Sequence, residues 1–207
     1  MKYSTRILLP LALLLLLGPG CLKPRGFQFT GEPFTLNPDI RIDTMNGRMY
    51  GYNGRGLFCV GIIGRSVGDS VEYDTLPAGL FIMAESSDVQ NIILLKPHSI
   101  RVGLVDTSFS IWGFCCNSGL AAPGEEDRLT FGRISDNPRM RQLIGLVADK
   151  DISNALPTVQ LAVWDITDNN RLSRSYIDAI NALPPDTTPP RQPLGPGLGL
   201  RIKAERR

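Results

Sequence analysis

Hydrophobic residues follow two different periods along this chain, and the change falls near residue 116. Short apolar runs at 57–63 and 79–84 are separated by turns rich in Gly, Pro, Asn and Asp. Residues 99–104 and 108–112 alternate apolar and polar positions, which is typical of half-exposed strands. We therefore predict a β-sandwich or barrel-like region over residues 34–116.

The second half of the chain carries a helical pattern. After a loop over residues 117–135, apolar positions recur at the spacing i, i+3, i+4 and i+7. Asn137, followed by a proline, predicts the start of a first helix, because Asn caps well and Pro fits the first turn. A second helix is expected to begin near Pro157 and a third at Ser173. Residues 117–183 are thus a loop and helical region, and the predicted fold class is α+β.

The first 20 residues have the pattern of a bacterial export signal. Basic Lys2 and Arg6 precede an apolar run of 11 residues at 7–17, which is too short to span a membrane. Small residues follow and lead to Cys21. A membrane anchor that is never cleaved is the alternative. We predict a signal peptide over residues 1–20 and an exported protein.

The end of this signal resembles the lipobox of bacterial lipoproteins. Residues 17–21 read Leu-Gly-Pro-Gly-Cys. The resemblance implies cleavage before Cys21 and a lipid on its thiol, which would hold the chain on the membrane of the cell envelope. It also implies the outer membrane if the cell is Gram-negative, because Leu22, and not Asp, follows the cysteine.

Two flanking segments contain few residues that could pack. Residues 21–33 include Pro24, Gly26 and Gly31 without periodicity, which indicates a short tether. Residues 184–207 contain six prolines and three glycines, which predicts a disordered or extended tail. A packed strand near the end of the tail is the alternative.

Composition excludes several classes of function. The chain has 22 basic and 20 acidic residues, and the excess lies in the signal segment, so capture of nucleic acid is not expected. It has one histidine, so a multi-histidine metal site is not expected. No cofactor is predicted, and an enzyme is not favoured. With Cys21 lipidated, Cys59, Cys115 and Cys116 leave an odd number of thiols in an oxidising compartment.

Two short motifs carry the candidate chemistry. Residues 114–116 read Phe-Cys-Cys at the end of the last predicted strand, and residues 159–164 read Val-Gln-Leu-Ala-Val-Trp on the second predicted helix. Together they resemble the paired motifs of the thioester domains of bacterial surface proteins and adhesins. Those motifs are aromatic-Cys-apolar and apolar-Gln-x-x-apolar-Trp. The resemblance covers about residues 110–182, with Cys116 where an aliphatic residue is usual.

The resemblance implies a specific reaction. The sulfur of Cys115 would attack the carboxamide of Gln160, ammonia would leave, and an internal thioester would form. An amine of a partner, such as a lysine, would then open the thioester and become covalently attached. Trp164 lies one helical turn after Gln160 and, with Phe114, would shield the bond from water.

We therefore predict a lipid-anchored surface protein whose partners are a membrane and an amine-bearing protein or surface. The alternative is a structural or binding lipoprotein of the envelope that contains no thioester. In that alternative, Cys115 is a packed core residue and Gln160 only hydrogen-bonds a loop carbonyl.

Strand geometry also bears on the remaining cysteines. Successive side chains of a strand point to opposite faces, so Cys115 and Cys116 should face opposite ways. Cys116 could then pair with Cys59 in a disulfide, which would resolve the odd number of thiols. A bond between Cys59 and Cys115 would exclude the thioester.

Overall fold

The computed structural model describes residues 27–47 and 58–187, and in this part of the chain the fold is α+β, as predicted. The strands are β1 (Gly31–Pro33), β2 (Ile40–Gly47), β3 (Phe58–Ser66), β4 (Glu72–Leu76), β5 (Leu80–Ala84), β6 (Ile92–Ile93), β7 (His98–Val102), β8 (Thr107–Cys115) and β9 (Leu129–Ser135). The helices are α1 (Pro138–Val147), α2 (Leu156–Asn169) and α3 (Arg174–Asn181). The predicted signal peptide, the lipidation site Cys21 and most of the predicted tail lie outside the described residues.

The main sheet is antiparallel and has seven strands in the order β1-β9-β5-β6-β8-β3-β2 within the described residues. The edge strand β2 approaches β9, the second strand from the other edge, because Asn46 of β2 forms an isolated bridge with Arg128, next to β9. The sheet therefore curls towards a barrel, one of the two forms expected for the β-rich region. A smaller antiparallel pair, β4 and β7, lies beside it.

Alternating side chains of the curled sheet fill its interior. On β3, Phe58, Val60 and Ile62 join the interior cluster, and Val60 and Ile62 have no exposed surface. The small β4–β7 pair adds Leu76 and Ile100 to the same cluster. Burial of such aliphatic side chains stabilises the fold by roughly 1.5–3 kcal/mol each.

The three described helices form a layer against the outer face of the sheet. Their buried residues share a second cluster with Phe81, Ile93 and Phe114, which point outward from β5, β6 and β8. Helix α1 begins where predicted, since the side chain of Asn137 accepts hydrogen bonds from the backbone N–H groups of Arg139 and Met140. No helix in the described ranges is both long and apolar enough to cross a bilayer.

Three segments differ from the prediction. Residues 129–135 were expected to lie in a loop but form β9, which pairs with β5 and β1. Residues 31–33 of the predicted tether form β1, and the ring of Phe29 packs edge-on against Phe81. At the start of the predicted tail, the carboxylate of Asp186 forms an ion pair with the ammonium of Lys96 at 2.6 Å.

Candidate functional site

The structure brings Cys115 and Gln160 into direct contact. The backbone N–H of Cys115 donates to Oε1 of Gln160 at 3.0 Å. Nε2 of Gln160 donates to the backbone carbonyl of Cys115 at 2.7 Å. Both residues are buried, with 7% of each exposed. The carboxamide carbon of Gln160 therefore lies beside the residue whose thiol is the predicted nucleophile.

Cys115 is bonded on two sides. On one side, its backbone N–H and carbonyl both pair with the carboxamide of Gln160, much as they would with a neighbouring strand. On the other side of β8, Cys115 pairs with Ile92 of β6. Cys115 is thus held between a strand and a helix side chain.

The predicted alternation of the two adjacent cysteines is observed. Cys115 belongs to the interior cluster of the curled sheet, whereas Phe114 and Cys116 belong to the outer cluster beneath the helices. Trp164 is half-buried and packs against the interior cluster that contains Cys115. Trp164 therefore lies on the same side of the sheet as the predicted nucleophile, while Phe114 lies on the other.

Ionisation of the Cys115 and Cys116 thiols is strongly unfavourable. Burial raises the pKa of the Cys115 thiol to about 12. Burial also raises the pKa of the Cys116 thiol well above its ordinary value, and the proximity of Cys115 and Asp168 adds to the rise. Both groups are therefore protonated at neutral pH, and neither is a free thiolate nucleophile.

The structure does not bring Cys59 and Cys116 together. Cys59, Cys115 and Cys116 are all free thiols. Cys59 lies opposite Trp112 of β8, four residues before Cys116. Four residues span roughly 13 Å along a strand. A disulfide requires Cα atoms within about 7 Å, so the register prevents the hypothesised Cys59–Cys116 bond even though both side chains point outward.

The segment after Cys116 is bonded to the C-terminal part of α2, which sequence reasoning missed. The hydroxyl oxygen of Thr167 accepts from the backbone N–H of Asn117 at 3.0 Å. The carboxylate of Asp168 accepts from the backbone N–H of Ser118 at 3.2 Å, and also from its hydroxyl. A Thr-Asp pair seven and eight residues after Gln160 was the available signal, because these positions share its helix face.

The opposite side of this segment is held by Gln90 and Asn91. Nε2 of Gln90 donates to the carbonyl of Leu120 at 2.8 Å, and its backbone N–H donates to Ala121 at 2.8 Å. The carbonyl of Asn91 accepts from the N–H of Cys116 at 2.7 Å. Residues 115–121 are therefore hydrogen-bonded to α2 on one side and to Gln90 and Asn91 on the other.

Three buried side-chain atoms in the described residues have no hydrogen-bond partner, and all belong to this region. They are Oε1 of Gln90, Oδ1 of Asn117 and Nε1 of Trp164. Unpaired buried polar atoms are uncommon in folded proteins. The surroundings of Cys115 thus combine firm backbone anchoring with three buried polar atoms that make no hydrogen bond within the described residues.

No group of three or more His, Cys, Asp or Glu side chains in residues 27–47 and 58–187 is placed to hold a metal ion. Comparison of the chain with protein-family models, curated proteins and solved structures finds no match.

Proposed function

We propose that this chain is an exported, lipid-anchored surface protein that attaches covalently to an amine of a partner through a thioester between Cys115 and Gln160. The observation that carries the proposal is the buried contact between these two residues, which are 45 positions apart in the sequence. The resemblance of residues 114–116 and 159–164 to thioester motifs supports the same pair.

The reaction proceeds in two balanced steps. First, the sulfur of Cys115 bonds to the carboxamide carbon of Gln160, the carbon–nitrogen bond breaks, and the thiol proton leaves with the amide nitrogen as ammonia. Second, the nitrogen of a partner amine bonds to the same carbon, the carbon–sulfur bond breaks, and a proton from the amine returns to the sulfur of Cys115. The product is an amide between the partner and residue 160.

The contact at Cys115 favours the first step in two ways. Its N–H donates to the carboxamide oxygen of Gln160, where negative charge develops during attack. Strand side chains also stand roughly perpendicular to the hydrogen-bonding direction, so the Cys115 side chain leaves the plane in which the carboxamide lies. Attack on an amide carbon requires an approach from outside that plane.

The high pKa of the Cys115 thiol limits the rate of this step. Because thiolate is scarce at neutral pH, the proton must leave the sulfur as the new bond forms. A slow reaction is sufficient here, since the thioester forms once in each chain. Trp164 packs on the same cluster as Cys115, and its bulk would limit hydrolysis of the finished bond.

Intact-mass spectrometry of the full-length chain tests the thioester. We expect the wild-type protein to be lighter, by the mass of one ammonia molecule, than the same chain with an intact Gln160 carboxamide. Treatment with methylamine should add the mass of one methylamine molecule to the thioester form. Cys115→Ala and Gln160→Ala should abolish both effects. Cys116→Ala is the matched control, because the adjacent thiol faces the other cluster, and it should retain both. The proposal would be contradicted by wild-type protein that shows no loss of ammonia and gains no mass from methylamine.

The lipid anchor needs a separate test. Cys21 lies outside the described residues, so the proposal rests on residues 1–21 of the sequence alone. We expect the wild-type chain to enter the membrane fraction and incorporate a labelled fatty acid, and Cys21→Ala to lose the label. A labelled Cys21→Ala chain would reject lipidation at this cysteine.

A structural lipoprotein without a thioester is the second candidate, and one observation favours it. The carboxamide of Gln160 satisfies both backbone groups of Cys115, which is a sufficient structural role for a buried glutamine. The same mass measurement separates the two functions, because this candidate requires an intact Gln160 carboxamide.

A further inference from the structure

The backbone of residues 115–118 is bonded to one face of α2 at three points. Gln160 pairs with Cys115, Thr167 accepts from Asn117, and Asp168 accepts from Ser118. Positions 160, 167 and 168 lie on the same side of a helix, about two turns apart. Helix α2 therefore holds not only Cys115, through Gln160, but also the next residues of the segment, Asn117 and Ser118.

The conformation of Asn117 makes the two distal bonds possible. Its φ of 63° lies in the left-handed region, which few residues other than glycine adopt. The N–H groups of Asn117 and Ser118 consequently both bond to the C-terminal part of α2. The negative end of the helix dipole and the carboxylate of Asp168 suit these donors.

We propose that Thr167 and Asp168 are positioning residues that hold Cys115 in register with the Gln160 carboxamide and thereby set the rate of thioester formation. This inference rests on the proposed function. Thr167 has only 2% of its surface exposed, so its bond to Asn117 is protected from competing water. Without the two bonds, the segment is held on this side only at Cys115, where a shift would misalign the sulfur and the carboxamide carbon.

Thr167→Val tests the role of the hydroxyl, because it replaces that group with a methyl of similar size. We expect conversion to the ammonia-deficient mass, followed in newly synthesised full-length chain, to slow about tenfold to a hundredfold, as loss of alignment commonly does. Thr167→Ser keeps the hydroxyl and should restore the rate. Asp168→Asn should give a smaller slowing, since Asp168 is exposed.

The chain offers a matched control for general loss of stability. Asp165 accepts from the N–H and hydroxyl of Ser173, just as Asp168 accepts from those of Ser118. Ser118→Ala and Ser173→Ala thus each remove one hydroxyl bond to a carboxylate of α2. We expect the first to slow thioester formation and the second to leave it at the wild-type rate.

The outcomes separate the two proposals. A wild-type chain that converts, with Thr167→Val and Asp168→Asn converting equally fast, overturns the positioning role while the thioester stands. A wild-type chain of full mass overturns the proposed function and with it any role in thioester formation. In that event, hydrogen exchange at the Cys115 amide still reports on register. If the Cys115 amide exchanges no faster in Thr167→Val than in Ser173→Ala, then Thr167 does not position Cys115 either.

Discussion

Gly113 of β8 lies so close to Ile92 of β6 that a Cβ built on the glycine would sit 2.4 Å from Cγ2 of Ile92. The same Cβ would sit 2.8 Å from the carbonyl oxygen of Ile93. This approach lets β8 and β6 pair at Cys115, two residues later. A side chain at position 113 would push the two strands apart immediately before the candidate site.

We therefore expect Gly113→Ala to lower the free energy of unfolding by about 1–3 kcal/mol, which is typical of overpacking. Urea denaturation measures the change. Gly145→Ala is the control, because a Cβ there meets no atom within 4 Å and alanine favours the helix α1. That variant should be more stable by about 0.5–1 kcal/mol. Equal stability of Gly113→Ala and wild type would show that the strands separate freely.

The double hydrogen bond from Gln160 gives a second prediction, for the chain before any thioester forms, because the reaction would remove Nε2 of Gln160. Gln160→Met keeps the length of the side chain but leaves the N–H and carbonyl of Cys115 unpaired in a buried position. We expect a loss of about 1–3 kcal/mol in the free energy of unfolding. Leu161→Met is the control at an exposed neighbouring position and should change stability by less than about 0.5 kcal/mol. Matching losses in both variants would mean that the pairing contributes nothing.

Local sequence signals located the helices well because each helix has its own start signal. Asn137 caps α1 as expected, and α2 begins one residue before Pro157. Strand β9 was not predicted, because charged residues and a glycine around it suggested a loop. Its pairing with β5 and β1 makes it a strand. Strand formation depends on partners distant in sequence, which no local pattern contains.

The same distinction applies to the site. Motif resemblance selected Cys115 and Gln160, and strand alternation gave the opposite faces of Cys115 and Cys116. Alternation does not give the register between strands. Cys59 faces the same way as Cys116 but lies opposite Trp112, so the distance between the two cysteines could not be predicted. The hydrogen bonds of Thr167 depend on how α2 lies against the end of β8, so the position of Thr167 on the same helix face as Gln160 was not enough to predict them.

The raised pKa of Cys116 predicts a loss of stability in alkali. An unfolded thiol ionises near pH 8.5, while the folded thiol retains its proton to higher pH. The stabilisation is therefore complete below the unfolded pKa and declines above it, by about 1.4 kcal/mol per pH unit. We expect the free energy of unfolding of Cys116→Ala to fall less than that of wild type between about pH 8 and about pH 10. Parallel pH profiles for the two proteins would show that Cys116 does not contribute.

Asp165 predicts the opposite dependence in acid. Burial alone would raise the pKa of its carboxyl, but hydrogen bonds from Ser173 and Arg171 outweigh burial and lower it. A lowered pKa means that the carboxylate stabilises the fold above the unfolded value of about 3.9. This contribution is lost as the pH falls from there through the lower folded value. The bonds join the end of α2 to the start of α3.

Asp165→Asn should consequently cost about 2 kcal/mol at neutral pH, the usual size for hydrogen bonds to a buried charge. Its difference from wild type should shrink as the pH falls below about 3.9, because the wild-type carboxyl then takes up its proton. Urea denaturation across this range measures both quantities. Asp178→Asn is the control, since Asp178 is more than half exposed in its ion pair with Arg174. It should cost at most about 0.5 kcal/mol. A difference for Asp165→Asn that stays constant into acid would mean that packing, and not charge, accounts for its effect.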